Sequence, residues 1–274
     1  MKILACGPFI GDFSQEILTF RPYCHWLQKV VEHDRMYIST HGNRFFLYDF
    51  LPEKYMVPVY WNLSRDELGQ KGYVHEDMPQ KDYNILIRKF KDDIAESSNC
   101  NKKDIIHYNI NYIKSTPSYP IWNKHFEKIK IPDIDIHENN RVVFIPYSEE
   151  SEEKLFHIYE FIRDNYNGLV IGDKRIQLTN YNRIKMFRDY FENGWKYIMK
   201  YIHNAIAVIC PVSFWTAICN LQGIPVFSWG EQISQYKENG MYYFDNEKSM
   251  VVSSYEDTEM DSIIKSLKHF LEAL

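Results

Sequence analysis

The turn Gly7-Pro8-Phe9-Ile10-Gly11-Asp12 ends on a carboxylate and lies between a short apolar run, Lys2 to Cys6, and a helically spaced segment from Phe13 to His33. A strand, turn and helix in that order place the turn at the carboxyl edge of a parallel sheet, where ligands bind. Gly7 and Gly11 allow close backbone approach, and the amides that open the helix suit an anionic or oxygen-rich ligand. Asp12 has two readings, an N-cap that satisfies orphan amides or a general base at a cleft. Glu16, one turn on, is an acid favoured by the helix dipole and a second carboxylate for the same task. The spacing G-x-x-x-G-D departs from the G-x-G-x-x-G of dinucleotide sites.

A second constellation runs from Ala207 to Ala217 and on through Gly223-Ile224-Pro225 to Gly230-Glu231. It reads as strand, turn, helix, glycine cap, strand and turn. Ser213 stands where an N-cap belongs, Phe214 and Trp215 follow it, and Thr216 lies one turn on. Hydroxyls and free amides would converge there on a point able to hold a diphosphate, and a plain capped core helix is the alternative. Lys174 and Arg175, after Gly172-Asp173, would neutralise a leaving diphosphate, or else decorate a solvated turn. Glu231 suits the hydroxyls of a ribose, or a helix cap. Ser148 is a further candidate phosphate contact, followed by acids that suit a helix start.

These residues need a scaffold of alternating strands and helices, and the chain supplies one. In the first half, Lys2–Cys6, Arg35–Thr40 and Tyr55–Tyr60 read as strands and Tyr83–Ala95 as a helix; Ile105–Ile113 is ambiguous. The first helix, Phe13–His33, presents Ile17, Phe20, Cys24, Leu27 and Val31 to the core, with a kink expected at Pro22. The polar stretch Asn62–Asp82 reads as a surface loop. After the polar segment Asp133–Asn140, Arg141–Pro146, Leu169–Gly172, Ala205–Cys210 and Pro225–Ser228 read as strands. Glu152–Asn165, Arg183–Phe191, Trp195–His203, Phe214–Gln222 and Met260–Leu274 read as helices. The expected division is therefore 1–137 and 138–274, with the final helix returning across the first domain.

Composition is that of a globular enzyme-sized chain, with 274 residues, 45% hydrophobic and 25% charged. Five cysteines without a C-x-x-C pair suggest neither a disulfide framework nor a zinc site, and fit a reducing cytoplasm. No run approaches the roughly 18 apolar residues of a membrane span. A net charge of −5 argues against broad nucleic-acid affinity. The aromatic content of 16% supplies rings for the core and for stacking on bases or sugars. His25 and His107, without H-x-x-x-H spacing, read as structural or exposed.

The opening strand with its Gly-Asp turn, Met1 to Asp12, and the late strand, Ser213 turn, small-residue helix and Gly223-Ile224-Pro225 resemble glycosyltransferases of the two-Rossmann-domain (GT-B) type, especially the heptosyltransferase-like family. The resemblance implies an α/β fold of two doubly wound domains facing a central cleft. It implies Asp12 as catalytic base and the Ser213 turn as holder of the donor diphosphate. The chain departs from the family in having Val212, Phe214 and Ala217 where Asp, Gly and His are usual. The triplet Asp133-Ile134-Asp135 resembles the metal-binding D-x-D of single-domain, manganese-dependent glycosyltransferases. It also continues an Ile alternation in which the charges face solvent, so no metal and no resident cofactor are expected.

The expected activity is inverting transfer of a sugar from a nucleotide sugar, with Asp12, aided by Glu16, deprotonating an acceptor hydroxyl. The Asn-, Lys-, Ile- and Tyr-rich composition resembles the product of an AT-rich genome, and so compact a transferase resembles viral enzymes that add sugars to hydroxymethylated bases, making modified phage DNA the first acceptor and a surface glycan or lipid-linked sugar the second. A DNA acceptor requires Arg21, Lys71, Arg88, Lys89, Lys91, Lys102 and Lys103 to form one basic face. A non-catalytic nucleotide- or sugar-binding module and a nucleotide-sugar epimerase are the remaining readings.

Overall fold

The computed structural model describes residues 1–11, 13–59, 80–109, 126–131, 133, 141–146, 152–166, 168–172, 184–186, 194–230, 247–253 and 260–274. The chain divides into two compact units, Met1–Lys130 and Ile131–Leu274; the sequence places the change at 137/138.

Among its described residues the first unit carries four strands, β1 (Ile3–Cys6), β2 (Arg35–Thr40), β3 (Met56–Pro58) and β4 (Ile105–Tyr108), in the order β3-β2-β1-β4. Each described pair is parallel, with Ile3 opposite both Arg35 and Ile105. β1 is buried along its whole length, as a central parallel strand covered on both faces must be. On one face Ile3, Ala5, Tyr37 and Ile105 meet Phe90 and Ile94 of a long helix, Gln80–Ser98.

The segment expected to form one kinked helix is built in three pieces: α1 (Phe13–Gln15), a π-turn over Glu16–Phe20, and α2 (Arg21–Val30). Arg21 N–H bonds to the Glu16 carbonyl, five residues back. Pro22, which has no N–H to give, then falls in the first turn of α2, where the missing donor breaks no ladder bond. The widened turn absorbs what was expected as a proline kink. Ile17, Phe20, Cys24 and Leu27 are buried as the spacing predicts, while Val31 is the half-buried C-cap. The Gln80–Ser98 helix, α3, begins inside the stretch read as loop, because Gln80 to Asp82 are tolerated in a first turn as readily as in a loop.

Among the described residues the second unit has six parallel strands, β5 (Val142–Phe144), β6 (Gly168–Gly172), β7 (Ile184–Met186), β8 (Ala207–Pro211), β9 (Val226–Gly230) and β10 (Ser249–Ser253). Their order, β10-β9-β8-β5-β6-β7, is that of a doubly wound nucleotide-binding sheet, and the first unit winds the same way as far as it goes. The helices here are α4 (Glu152–Asn165), α5 (Gly194–His203), α6 (Phe214–Gln222) and α7 (Met260–Glu272). The expected helix at 183–191 is corrected over 184–186, which pair as β7 with β6, Ile184 opposite Val170. So short an apolar alternation satisfies both periods, and the free sheet edge decides it. The final helix, expected across the first domain, buries Ile263, Leu267, Phe270 and Leu271 in its own unit against Val142, Phe144 and Phe227. The five cysteines are free.

Candidate functional site

In each sheet the strand order reverses beside the unit's first strand, between β1 and β4 and between β5 and β8. A crevice opens at such a switch point beyond the carboxyl ends of the strands. The described parts of the two sequence constellations, Gly7–Gly11 after β1 and Ser213–Thr216 after β8, follow strands that flank these switch points.

At the first switch point the loop after β1 is gripped from four sides. Gly7 N–H bonds to the Tyr108 carbonyl at 2.9 Å and Phe9 N–H to the Ser39 carbonyl at 2.8 Å. The His107 ring donates from Nε2 to the Gly7 carbonyl at 2.6 Å, the Tyr83 hydroxyl donates to the Pro8 carbonyl at 3.0 Å, and Arg44 Nη1 donates to the Gly11 carbonyl at 2.8 Å. Gly7 has φ +106°, and a Cβ there would stand 2.5 Å from the Ser39 carbonyl oxygen, so both conformation and space demand glycine. Phe9 stacks on Phe20 beneath the loop, with ring centroids 4.8 Å apart. Asp12 lies outside the described residues.

Glu16 is fully buried. Its Oε1 accepts from the Thr40 and Tyr48 hydroxyls and its Oε2 from Arg44 Nη1 at 2.8 Å. Burial pushes the carboxyl above the usual carboxylate range, against the opposing pull of Arg44, Thr40 and Tyr48. A carboxylate sealed among three donors cannot reach an acceptor hydroxyl, so the structure moves Glu16 from proton acceptor to anchor. Arg44 and Tyr48 come from a 3₁₀ segment, Gly42–Tyr48, that sequence periodicity does not reveal. Their pairing with Glu16 spans 28 and 32 residues, and no local signal carries it.

At the second switch point Ser213 is the N-cap of α6 in extended conformation, and its hydroxyl accepts from Trp215 N–H at 3.3 Å. Ser213 N–H in turn donates to Thr216 Oγ1 at 3.2 Å, closing a capping box. Thr216 is fully buried and its hydroxyl turns onto the sheet, 2.8 Å from Ser228 Oγ and 3.7 Å from Cys210 Sγ. The expected convergence of hydroxyls is therefore partial: Ser213 stays at the half-exposed rim, and Thr216 belongs to the floor. Trp215 is buried against Trp195 of α5, with ring centroids 6.3 Å apart, while Phe214 is half-exposed beside it. Gly230 closes the far side, where a Cβ would meet Val212 Cβ at 3.1 Å.

Ser148, Lys174, Arg175, Glu231 and Asp135 lie outside the described residues. Asp133 pairs with Lys200 Nζ at 3.3 Å. Among the described residues no group of three or more His, Cys, Asp or Glu side chains is placed to hold a metal ion. Of the cations that a DNA acceptor requires on one face, one is withdrawn from the surface. Arg21 is buried, bonded to the Leu47 and Glu127 carbonyls and paired with Asp49 at 3.0 Å. Lys102 pairs with Asp92, and Arg88, Lys89 and Lys91 share α3 with Asp82, Asp92, Asp93 and Glu96. Lys71 lies outside the described residues. No described helix is long and apolar enough to cross a membrane.

No protein-family model and no curated protein matches the chain. Solved structures do. The chain is similar over its whole length to the ADP-heptose lps heptosyltransferase II of E. coli, with TM-score 0.55, 11% identity and 99% of that chain covered. It is similar to a family 9 glycosyl transferase of Veillonella parvula, with TM-score 0.57, 10% identity and coverage of 100% and 97%. The E. coli heptosyltransferase WaaC, solved with ADP, aligns with TM-score 0.52, 8% identity and coverage of 100% and 99%. Two parallel sheets wound in the same order, in a full-length match to these enzymes, give the chain the α/β GT-B fold.

Proposed function

We propose that the chain is a nucleotide-sugar-dependent glycosyltransferase in which the second unit holds the donor diphosphate and the first activates the acceptor hydroxyl. The observation that carries this reading is the placement of both candidate constellations at the switch points of two sheets wound in the nucleotide-binding order. At α6, the Ser213 cap and the amides of the first turn supply donors and positive partial charge for a diphosphate, and Phe214 offers a half-exposed ring to a base or sugar. Lys174, Arg175, Ser148 and Glu231 complete the donor set in this proposal. Asp12 takes the proton from the acceptor hydroxyl as the new bond to the anomeric carbon forms. The bond from that carbon to the diphosphate oxygen breaks, and the nucleoside diphosphate leaves. Direct displacement of this kind inverts the anomeric carbon.

The acceptor class we infer is a hydroxyl of a glycan or lipid-linked sugar. Arg21, one of the cations a duplex-binding face requires, is buried, and Lys102 is paired with Asp92. Two of the enzymes that share the fold are heptosyltransferases, one of them named for lps.

The test is thermal stabilisation by ADP, UDP, GDP and their sugars, followed by transfer assays. A donor at about 100 times its Kd adds about 2.7 kcal/mol to the folded state. Asp12→Asn is expected to keep that stabilisation and lose roughly 100- to 10,000-fold in kcat, the contribution of a positioned base. Stabilisation by none of the panel would sink the reading.

A further inference from the structure

We propose that Arg44 is a positioning residue: held by Glu16, its guanidinium fixes the peptide that leads into Asp12. The proposal rests on the reading of Asp12 as base given above. One nitrogen, Nη1, makes both bonds, 2.8 Å to the Gly11 carbonyl and 2.8 Å to Glu16 Oε2. The guanidinium carbon also lies 6.0 Å from the centre of the Phe13 ring. Arg44 thus touches the chain on both sides of residue 12, through Gly11 and through Phe13.

The peptide unit is planar, so holding the Gly11 carbonyl sets the direction of the bond that enters residue 12. The anchor behind Arg44 is itself fixed to the sheet. Glu16 is bound by Thr40 at the end of β2 and by Tyr48, and it opens the π-turn that lets α2 continue past Pro22. Turns of that type concentrate at functional positions because they re-aim the chain around them.

Energetics point the same way. Arg44 and Glu16 are 6% and 0% exposed, and Arg44 Nε has no hydrogen-bond partner among the described residues. A buried ion pair gains little over apolar filler of the same volume, and an unsatisfied nitrogen is a further cost. What apolar filler cannot do is hold a carbonyl in one direction.

The experiment labels glycine with carbonyl ¹³C and aspartate with ¹⁵N, so that amide-to-carbonyl spectra report the pairs Gly11–Asp12 and Gly172–Asp173. Arg44→Ala and Arg44→Lys should both move the Gly11–Asp12 signal while the other stays in place as an internal control. Kinetics with whichever nucleotide sugar stabilises the wild type should show kcat about 100-fold lower, the penalty of a reacting group misplaced by about 1 Å. KM for that nucleotide sugar should hold, a split that general destabilisation does not produce. If Arg44→Ala fails to fold, Arg44→Lys carries the test, since it keeps the charge but ends one bond short of the Nη1 position that makes both contacts.

An unmoved Gly11–Asp12 signal in a folded variant overturns the proposal, and so does a moved signal with kcat intact. If no nucleotide sugar binds, the transferase reading fails by itself, and the spectra still decide whether Arg44 orders the loop.

Discussion

Ser213 and Thr216 stand three residues apart in one capping box, yet they are predicted to fail differently. Ser213→Ala removes the cap of α6, which costs about 1 kcal/mol, and removes a hydroxyl from the rim, so donor binding should weaken. Thr216→Val is nearly isosteric and strips a hydroxyl from the buried cluster with Ser228 and Cys210. It should cost about 1–3 kcal/mol in denaturant unfolding and leave donor affinity unchanged in calorimetry. Equal losses of affinity in both variants would show that the floor of the site is wrongly assigned. Gly7→Ala tests the switch point of the first unit: a left-handed φ and a 2.5 Å approach to Ser39 predict a loss of at least about 2 kcal/mol. At this scale the sequence identified the cap and the glycine, whose chemistry is local, and ranked Glu16 as a reacting acid. Nothing near Glu16 in the chain announces Arg44, Thr40 and Tyr48, which only the parallel alignment of β1 and β2 brings together.

The elements around the first loop also carry a pH signature. His41 begins the turn after β2, and burial, reinforced by the Arg44 charge, lowers its pKa from 6.5 to about 3. The folded state therefore holds His41 neutral while the unfolded chain protonates it. A depressed folded value means its contribution is complete above pH 6.5 and is lost as pH falls toward about 3. Wild type should lose melting temperature across that window, and His41→Gln should lose less. Equal losses would place the sensitivity elsewhere. Strands and helices with several turns of consistent spacing, such as Arg35–Thr40, Glu152–Asn165 and Phe214–Gln222, are readable residue by residue. Short pieces are not. Ile184–Met186 has too few residues to separate the two periods, Gly42–Tyr48 has the three-residue repeat of a 3₁₀ turn, and Ser249–Ser253 forms only because β9 presents an edge.

For the whole molecule, the alternation of strands and helices was enough to infer two doubly wound units, because parallel strands require helical crossovers and these have one favoured hand. Acceptor identity is a property of surfaces built from distant residues, and composition does not report burial: Arg21, one of the cations the DNA reading requires, is buried. In the proposed reaction the first turn of α6 receives the diphosphate of a nucleotide sugar. Hydrogen exchange measured with and without each of ADP, UDP and GDP tests it most directly. One nucleoside diphosphate, and not its nucleoside, should slow exchange of the amides from Ser213 to Ala217. Binding that leaves those amides unprotected, or binding by none of the three, would contradict the account.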